Sequence, residues 1–120
     1  MAIQTLEQKR AENAWQRAQS GVAQYESEYV NNAKGLPALI MNSGLMQVMA
    51  FLHAKEGCKA DLGRDLRAWL HEQCHTSRDF ESFMKELFAM DTQSFQVVTK
   101  EAFAWLRWLR QMAPACAKGD

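Results

Sequence analysis

Apolar residues recur along the chain at steps of three and four, the spacing of one helix face, and never alternate with polar residues over a useful length. The pattern predicts a first helix over about 5–20, opened by Thr5 and Gln8 at the spacing of a capping box, with Ala11, Trp15, Ala18 and Val22 as its stripe. Gly21 allows a break, and a second helix follows over about 24–34 with Tyr25 and Tyr29 on one side. From Gly35 to Ala54 the chain carries no Asp, Glu, Lys or Arg. A membrane helix needs roughly 20 uninterrupted apolar residues. Here Pro37 opens the run and Asn42-Ser43-Gly44 cuts it, so two short buried helices meeting at a corner are expected. The second, Leu45 to Leu52, is apolar nearly all round, as a helix in the middle of a domain is.

Gly57 reads as a stop. Over about 61–75, Leu62, Leu66, Trp69, Leu70 and Cys74 form a stripe, with Arg64, Arg67, His71 and His75 opposite. Thr76 and Asp79 again have capping-box spacing, before Phe80, Phe83, Met84, Leu87 and Phe88. Asp91 to Ser94 is the cap expected for a last helix carrying Phe95, Val98, Ala102, Trp105, Leu109 and Met112, ending near Pro114 with a short mobile tail beyond. The expected architecture is all-α: one compact domain over 1–120, a bundle of about six helices with a buried central helix.

Length and charge narrow the function. A chain of 120 residues buries roughly two-thirds of its unfolded surface, enough for a core without staples. Lys and Arg total 14, as do Asp and Glu, whereas a dedicated nucleic-acid binder is usually basic overall. Any nucleic-acid contact must then come from one face or from several copies acting together. Cys58, Cys74 and Cys116 form no disulfide framework, and the first residues lack the layout of a signal peptide. The expected compartment is the cytoplasm, with reduced thiols.

Three sets of residues carry candidate chemistry. His71-Glu72-Gln73-Cys74-His75 matches H-E-x-x-H, in which two histidines on one helix face bind zinc and the glutamate activates a water. A small zinc hydrolase is thus one reading. Against it, the extended motif is missing, only Glu86 and Glu101 offer distant third ligands, and the face is shared with Arg64 and Arg67. Two surface histidines near a helix C-terminus account for the same residues. Arginines and lysines recur at helical spacing in three places: Arg10 and Arg17; Arg64 and Arg67; Lys100, Arg107 and Arg110. Taken alone, such stripes are solvated faces. Trp108, flanked by Arg107 and Arg110, combines the residue types that dominate interfaces, whereas Trp15 and Trp105 read as core.

Leu36-Pro37-x-Leu39-Ile40, Gly44-Leu45-x-Gln47 and Ala50-Phe51-Leu52, with Arg10-Ala11 and Leu106-Arg107-Trp108-Leu109 at the two ends, resemble the small helical subunit of the Cmr-type (type III-B) CRISPR effector complex. The resemblance implies a non-catalytic building block of an antiviral ribonucleoprotein, with no catalytic residue, metal or cofactor. Its implied partners are other copies of itself, larger Cmr-type backbone subunits, and guide RNA paired with target RNA, bound without reading sequence; no membrane is involved. On that view Arg10, Arg17, Lys34, Arg64 and Arg67 are the candidates for RNA phosphates, and Arg107, Trp108 and Arg110 for a subunit interface. Leu36, Pro37, Gly44 and Phe51 serve the fold, while Gln47 bonds a backbone group in the core or meets a partner. A free-standing helical adaptor without an RNA role is the remaining alternative.

Overall fold

The computed structural model describes residues 3–118, and every regular element in it is a helix. These are α1 (Leu6–Tyr25), α2 (Ser27–Ser43), α3 (Leu45–Ala54), α4 (Cys58–Cys74), α5 (Phe80–Ala89) and α6 (Thr92–Lys118). Among the described residues no helix is long and apolar enough to cross a membrane.

Several starts and stops follow local chemistry. Thr5 Oγ1 accepts from the Gln8 amide at 3.1 Å and Gln8 Oε1 accepts from the Thr5 amide at 2.7 Å, closing the capping box on α1. Gly44 at φ 86 makes the expected corner between α2 and α3, at backbone angles that a side chain resists. Asp79, not Thr76, caps α5 by accepting from the Ser82 amide at 3.0 Å. Asp91 does the same for α6 through the Ser94 amide at 2.7 Å. Both amide bonds hold the aspartates below their ordinary pKa of 3.8. A depressed carboxyl stabilises the fold fully above its unfolded value, and the contribution is lost as pH falls through the native one. Asp79→Asn/Asp91→Asn is therefore expected to flatten the fall in melting temperature between about pH 5 and pH 2, as thermal circular dichroism would read it.

Other expectations are corrected. The chain does not break at Gly21: α1 runs through it, and the turn into α2 falls on Glu26, at φ 55. Gly21 instead packs against α2, with the buried Tyr29 ring lying on its bare Cα. Pro37 does not open a helix but lies inside α2, and Pro114 does not end α6, which continues to Lys118. A proline in a helix interior costs about 3 kcal/mol. Burying a large aliphatic side chain returns about 1.5–3 kcal/mol, so Leu36 and Ile40, 2% exposed each, outweigh Pro37 together.

The burial pattern also shifts. On α1 the buried residues are Ala14, Ala18 and Gly21, small enough for α6 and α2 to approach closely, while Trp15 is 46% exposed rather than core. On α3, Leu45, Val48, Met49 and Leu52 are buried but Gln47, Ala50 and Phe51 face outward, so this helix closes one side of the core and is not enclosed all round. The central position belongs to α6, which packs on α1, α2 and α4 and buries Val98, Ala102, Trp105, Leu106, Leu109 and Ala113.

Candidate nucleic-acid interface

Arginines predicted from helix spacing to be free are in part structural. Arg10 donates to the Glu101 carboxylate through Nε and Nη2, both at 2.7 Å. Glu101 is itself buried and also accepts from Trp69 Nε1 at 3.0 Å. The hydrogen bond to Glu101 pushes the Arg10 guanidinium pKa up, against the opposing effect of burial. One turn on, Asn13 Oδ1 accepts from Trp105 Nε1 at 2.9 Å. Another turn on, Arg17 faces Asp65 at 3.8 Å. Burial raises the Asp65 carboxyl pKa, and Arg17 opposes that rise. The polar face of α1 that carries Arg10 and Arg17 is thus a seam joining α1 to α4 and α6, not an open cationic stripe.

Arg67 departs furthest from expectation. It is 8% exposed, its Nε donates to the Arg78 carbonyl at 2.8 Å, and its guanidinium lies 5.7 Å from the Phe80 ring centre. The α4–α5 connection covers it, and burial lowers its pKa. Arg64 is exposed but paired with Asp61 at 2.9 Å, and Asp61 also accepts from the Tyr25 hydroxyl at 2.5 Å. That bond raises the Tyr25 phenol to about 12. Lys34 is exposed and forms no ion pair among the described residues.

The zinc arrangement is not formed. His71 Nδ1 lies 2.8 Å from the Thr76 carbonyl oxygen. His75 is the C-cap of α4 at φ 63, in a left-handed turn beyond the last residue of the helix that carries His71. Glu86 is occupied by the Ser77 amide at 2.8 Å and the Ser77 hydroxyl, and Glu101 by Arg10 and Trp69. Among the described residues no three His, Cys, Asp or Glu side chains gather where they would hold a metal.

What the fold does assemble is a trough over the middle of α6. A hollow of about 610 Å³ is lined by Glu7 and Arg10 of α1 and by Ala104, Arg107, Trp108, Arg110 and Gln111 of α6. A second hollow of about 260 Å³, lined by Met41 of α2 with Lys100, Phe103, Ala104 and Arg107, shares Ala104 and Arg107 with the first. Ala104 keeps the floor low, and α1 and α2 form the walls. Lys100, Arg107 and Arg110 are exposed and, among the described residues, lie within 4.0 Å of no carboxylate. The helical spacing of Lys100, Arg107 and Arg110 was visible in the sequence. The arrival of Arg10 and Met41 beside them was not. A separate, more apolar groove lies between α2 and α3, where Gln47 is exposed beside Leu39, Val48 and Phe51. Gln47 therefore does not bond a backbone group in the core.

The fold is shared with a crystal structure of a CRISPR-associated Cmr5 family protein from Thermus thermophilus, at 24% sequence identity and a TM-score of 0.77 over 94% of this chain and 98% of that one. The sequence model of the CRISPR-associated protein family Cas_Cmr5 matches residues 6–116, taking in all of α1 to α5 and α6 to within two residues of its end. With the match spanning nearly the whole helical domain, the chain belongs to the Cmr5 family of CRISPR-associated proteins and is a small Cmr-type subunit.

Proposed function

We propose that the chain is a non-catalytic subunit of a type III-B CRISPR ribonucleoprotein in the cytoplasm. Several copies stack beside larger backbone subunits, and the α6 trough faces the phosphates of guide RNA paired with target RNA. The observation that carries this reading is that Lys100, Arg107 and Arg110 stand exposed and unpaired along one trough. A guanidinium presents a planar fork that donates two parallel hydrogen bonds to phosphate, so Arg107 and Arg110 suit a backbone contact. Arg64 and Lys34 add exposed positive charge elsewhere on the surface, and Arg17, 3.8 Å from Asp65, keeps 43% of its side chain exposed, whereas Arg10 is committed to Glu101 and Arg67 is out of reach. The reading moves Arg107, Trp108 and Arg110 from the subunit interface to the RNA side.

Balanced overall charge makes the isolated subunit a weak binder, and affinity accumulates over copies tethered in one assembly. Base pairing reads the sequence while the protein responds to charge and shape. In the assembled complex, Lys100→Ala/Arg107→Ala/Arg110→Ala is expected to reduce the slope of log affinity against log salt by about 2 per copy in contact, because each phosphate contact contributes about 0.7–0.9. Filter binding across a salt series measures it. An unchanged slope in a complex that still assembles removes the trough from the RNA path.

A further inference from the structure

We infer that the larger hollow of the trough holds an unpaired nucleotide, with its base stacked on Trp108 and its phosphates on Arg107 and Arg110. The inference rests on the RNA-facing reading of the trough and adds to it a preference for single strand over duplex.

Contact with a regular duplex backbone calls for cations on an open surface. Here the cations line a shallow hollow of about 610 Å³, within the 300–1,000 Å³ range of small-molecule sites. An aromatic side chain lies among them: Trp108 is half-buried, held on its inner side by the core, and its remaining surface lines the hollow. A partly sunk indole beside two arginines brings aromatic surface for a base and charge for its phosphates into one hollow. Gln111 carries both a donor and an acceptor amide group for a base edge. Arg10, also in the lining, enters the hollow already clasped by Glu101 through two of its three nitrogens. Glu7 is the one acid in the lining, against the unpaired Arg107 and Arg110, so the recess stays net positive with Arg10 and Glu101 cancelling. A base inside a duplex has both faces covered by its neighbours and cannot enter such a recess. An acidic peptide would satisfy the arginines but leave the indole without a planar partner.

The test uses the full chain labelled with 15N and three probes at low salt: a short single-stranded oligoadenylate, a blunt RNA duplex of equal length, and a poly-glutamate peptide. The indole signal of Trp108, assigned by its loss in Trp108→Phe, is expected to shift with the oligoadenylate and to stay in place with the duplex. Trp108→Leu keeps apolar bulk but removes the ring, and is expected to weaken single-strand binding about tenfold while leaving duplex binding unchanged, with Trp108→Phe intermediate. Arg107→Ala is expected to weaken both. Three results overturn the inference: Trp108→Leu without effect on either RNA, Trp108→Leu weakening both alike, or poly-glutamate shifting the indole as far as RNA does. In the first two, a loss in Arg107→Ala leaves the broader RNA reading standing. If neither RNA perturbs any trough residue even at millimolar protein, both readings fail.

Discussion

Glu101→Ala is expected to lower the unfolding free energy by about 3 kcal/mol, measured as a fall in the urea midpoint at unchanged slope. Glu101 gathers two hydrogen bonds from Arg10 and one from Trp69, from partners that are 91 and 32 residues away in sequence. Its removal leaves a guanidinium without a counter-charge and a buried indole N–H without an acceptor. Breaking a buried pair costs about 3–5 kcal/mol. The Arg10 side chain keeps 23% of its exposure, so water recovers part of that cost and the low end applies. Glu101→Gln retains an acceptor and is expected to fall between. With Arg10→Ala added to Glu101→Ala, the combined loss should be smaller than the sum of the single losses, by more than about 1 kcal/mol. A Glu101→Ala protein within about 1 kcal/mol of the native one would mean that the clasp is incidental to the fold.

Gly21→Ala is expected to destabilise the chain by about 2–3 kcal/mol, although alanine is the better helix former by about 1 kcal/mol. A Cβ at this position would sit less than 3.0 Å from three atoms of the Tyr29 ring. The ring is 1% exposed and has no solvent side to turn toward. Relief must come from the helices themselves, by moving α2 off α1 and opening the contact that their one-residue turn at Glu26 enforces. Tyr29→Leu combined with Gly21→Ala should cost less than the two single changes added together, because the smaller side chain makes room. A Gly21→Ala protein melting at or above the native temperature would show that the two helices separate freely.

Helix identity was legible wherever the deciding chemistry is local. The capping box of Thr5 and Gln8, the corner at Gly44 and the cap at Asp91 each lie within a few residues of what they control. Positions decided by remote packing misled. Gly21 reads as a breaker because its use, to admit Tyr29, depends on how α2 folds back. Pro37 reads as a helix start because the burial of Leu36 and Ile40 that carries the helix through it is tertiary. Glu26 carries no turn signal at all, yet makes the one-residue turn between α1 and α2. Large side chains also weighed too heavily on α1, where tight packing selects Ala14 and Ala18 and leaves Trp15 outside.

The site divides the same way. Periodicity placed Arg107, Trp108 and Arg110 together on α6, and the fold keeps them together. It also grouped Arg64 with Arg67, but helical spacing says which residues share a face and not what lies across it. For Arg67 that is the chain between α4 and α5. The pairing of Arg10 with Glu101 spans most of the sequence and had no local mark. The H-E-x-x-H match failed for a related reason, since a motif presumes its helix continues and α4 ends at Cys74, one residue short of the second histidine.

The clasp at Glu101 links heredity of binding to heredity of folding. The wall it fastens belongs to the trough, so letting go of it would deform the recess without altering any of the groups proposed to meet RNA. If the proposed RNA contact is made, a genetic screen for chains that lose it would recover lesions at the buried Glu101 and Trp69 alongside those at the arginines. Such interior alleles would be told apart by temperature: growth in the cold would restore them, while arginine alleles would stay defective throughout.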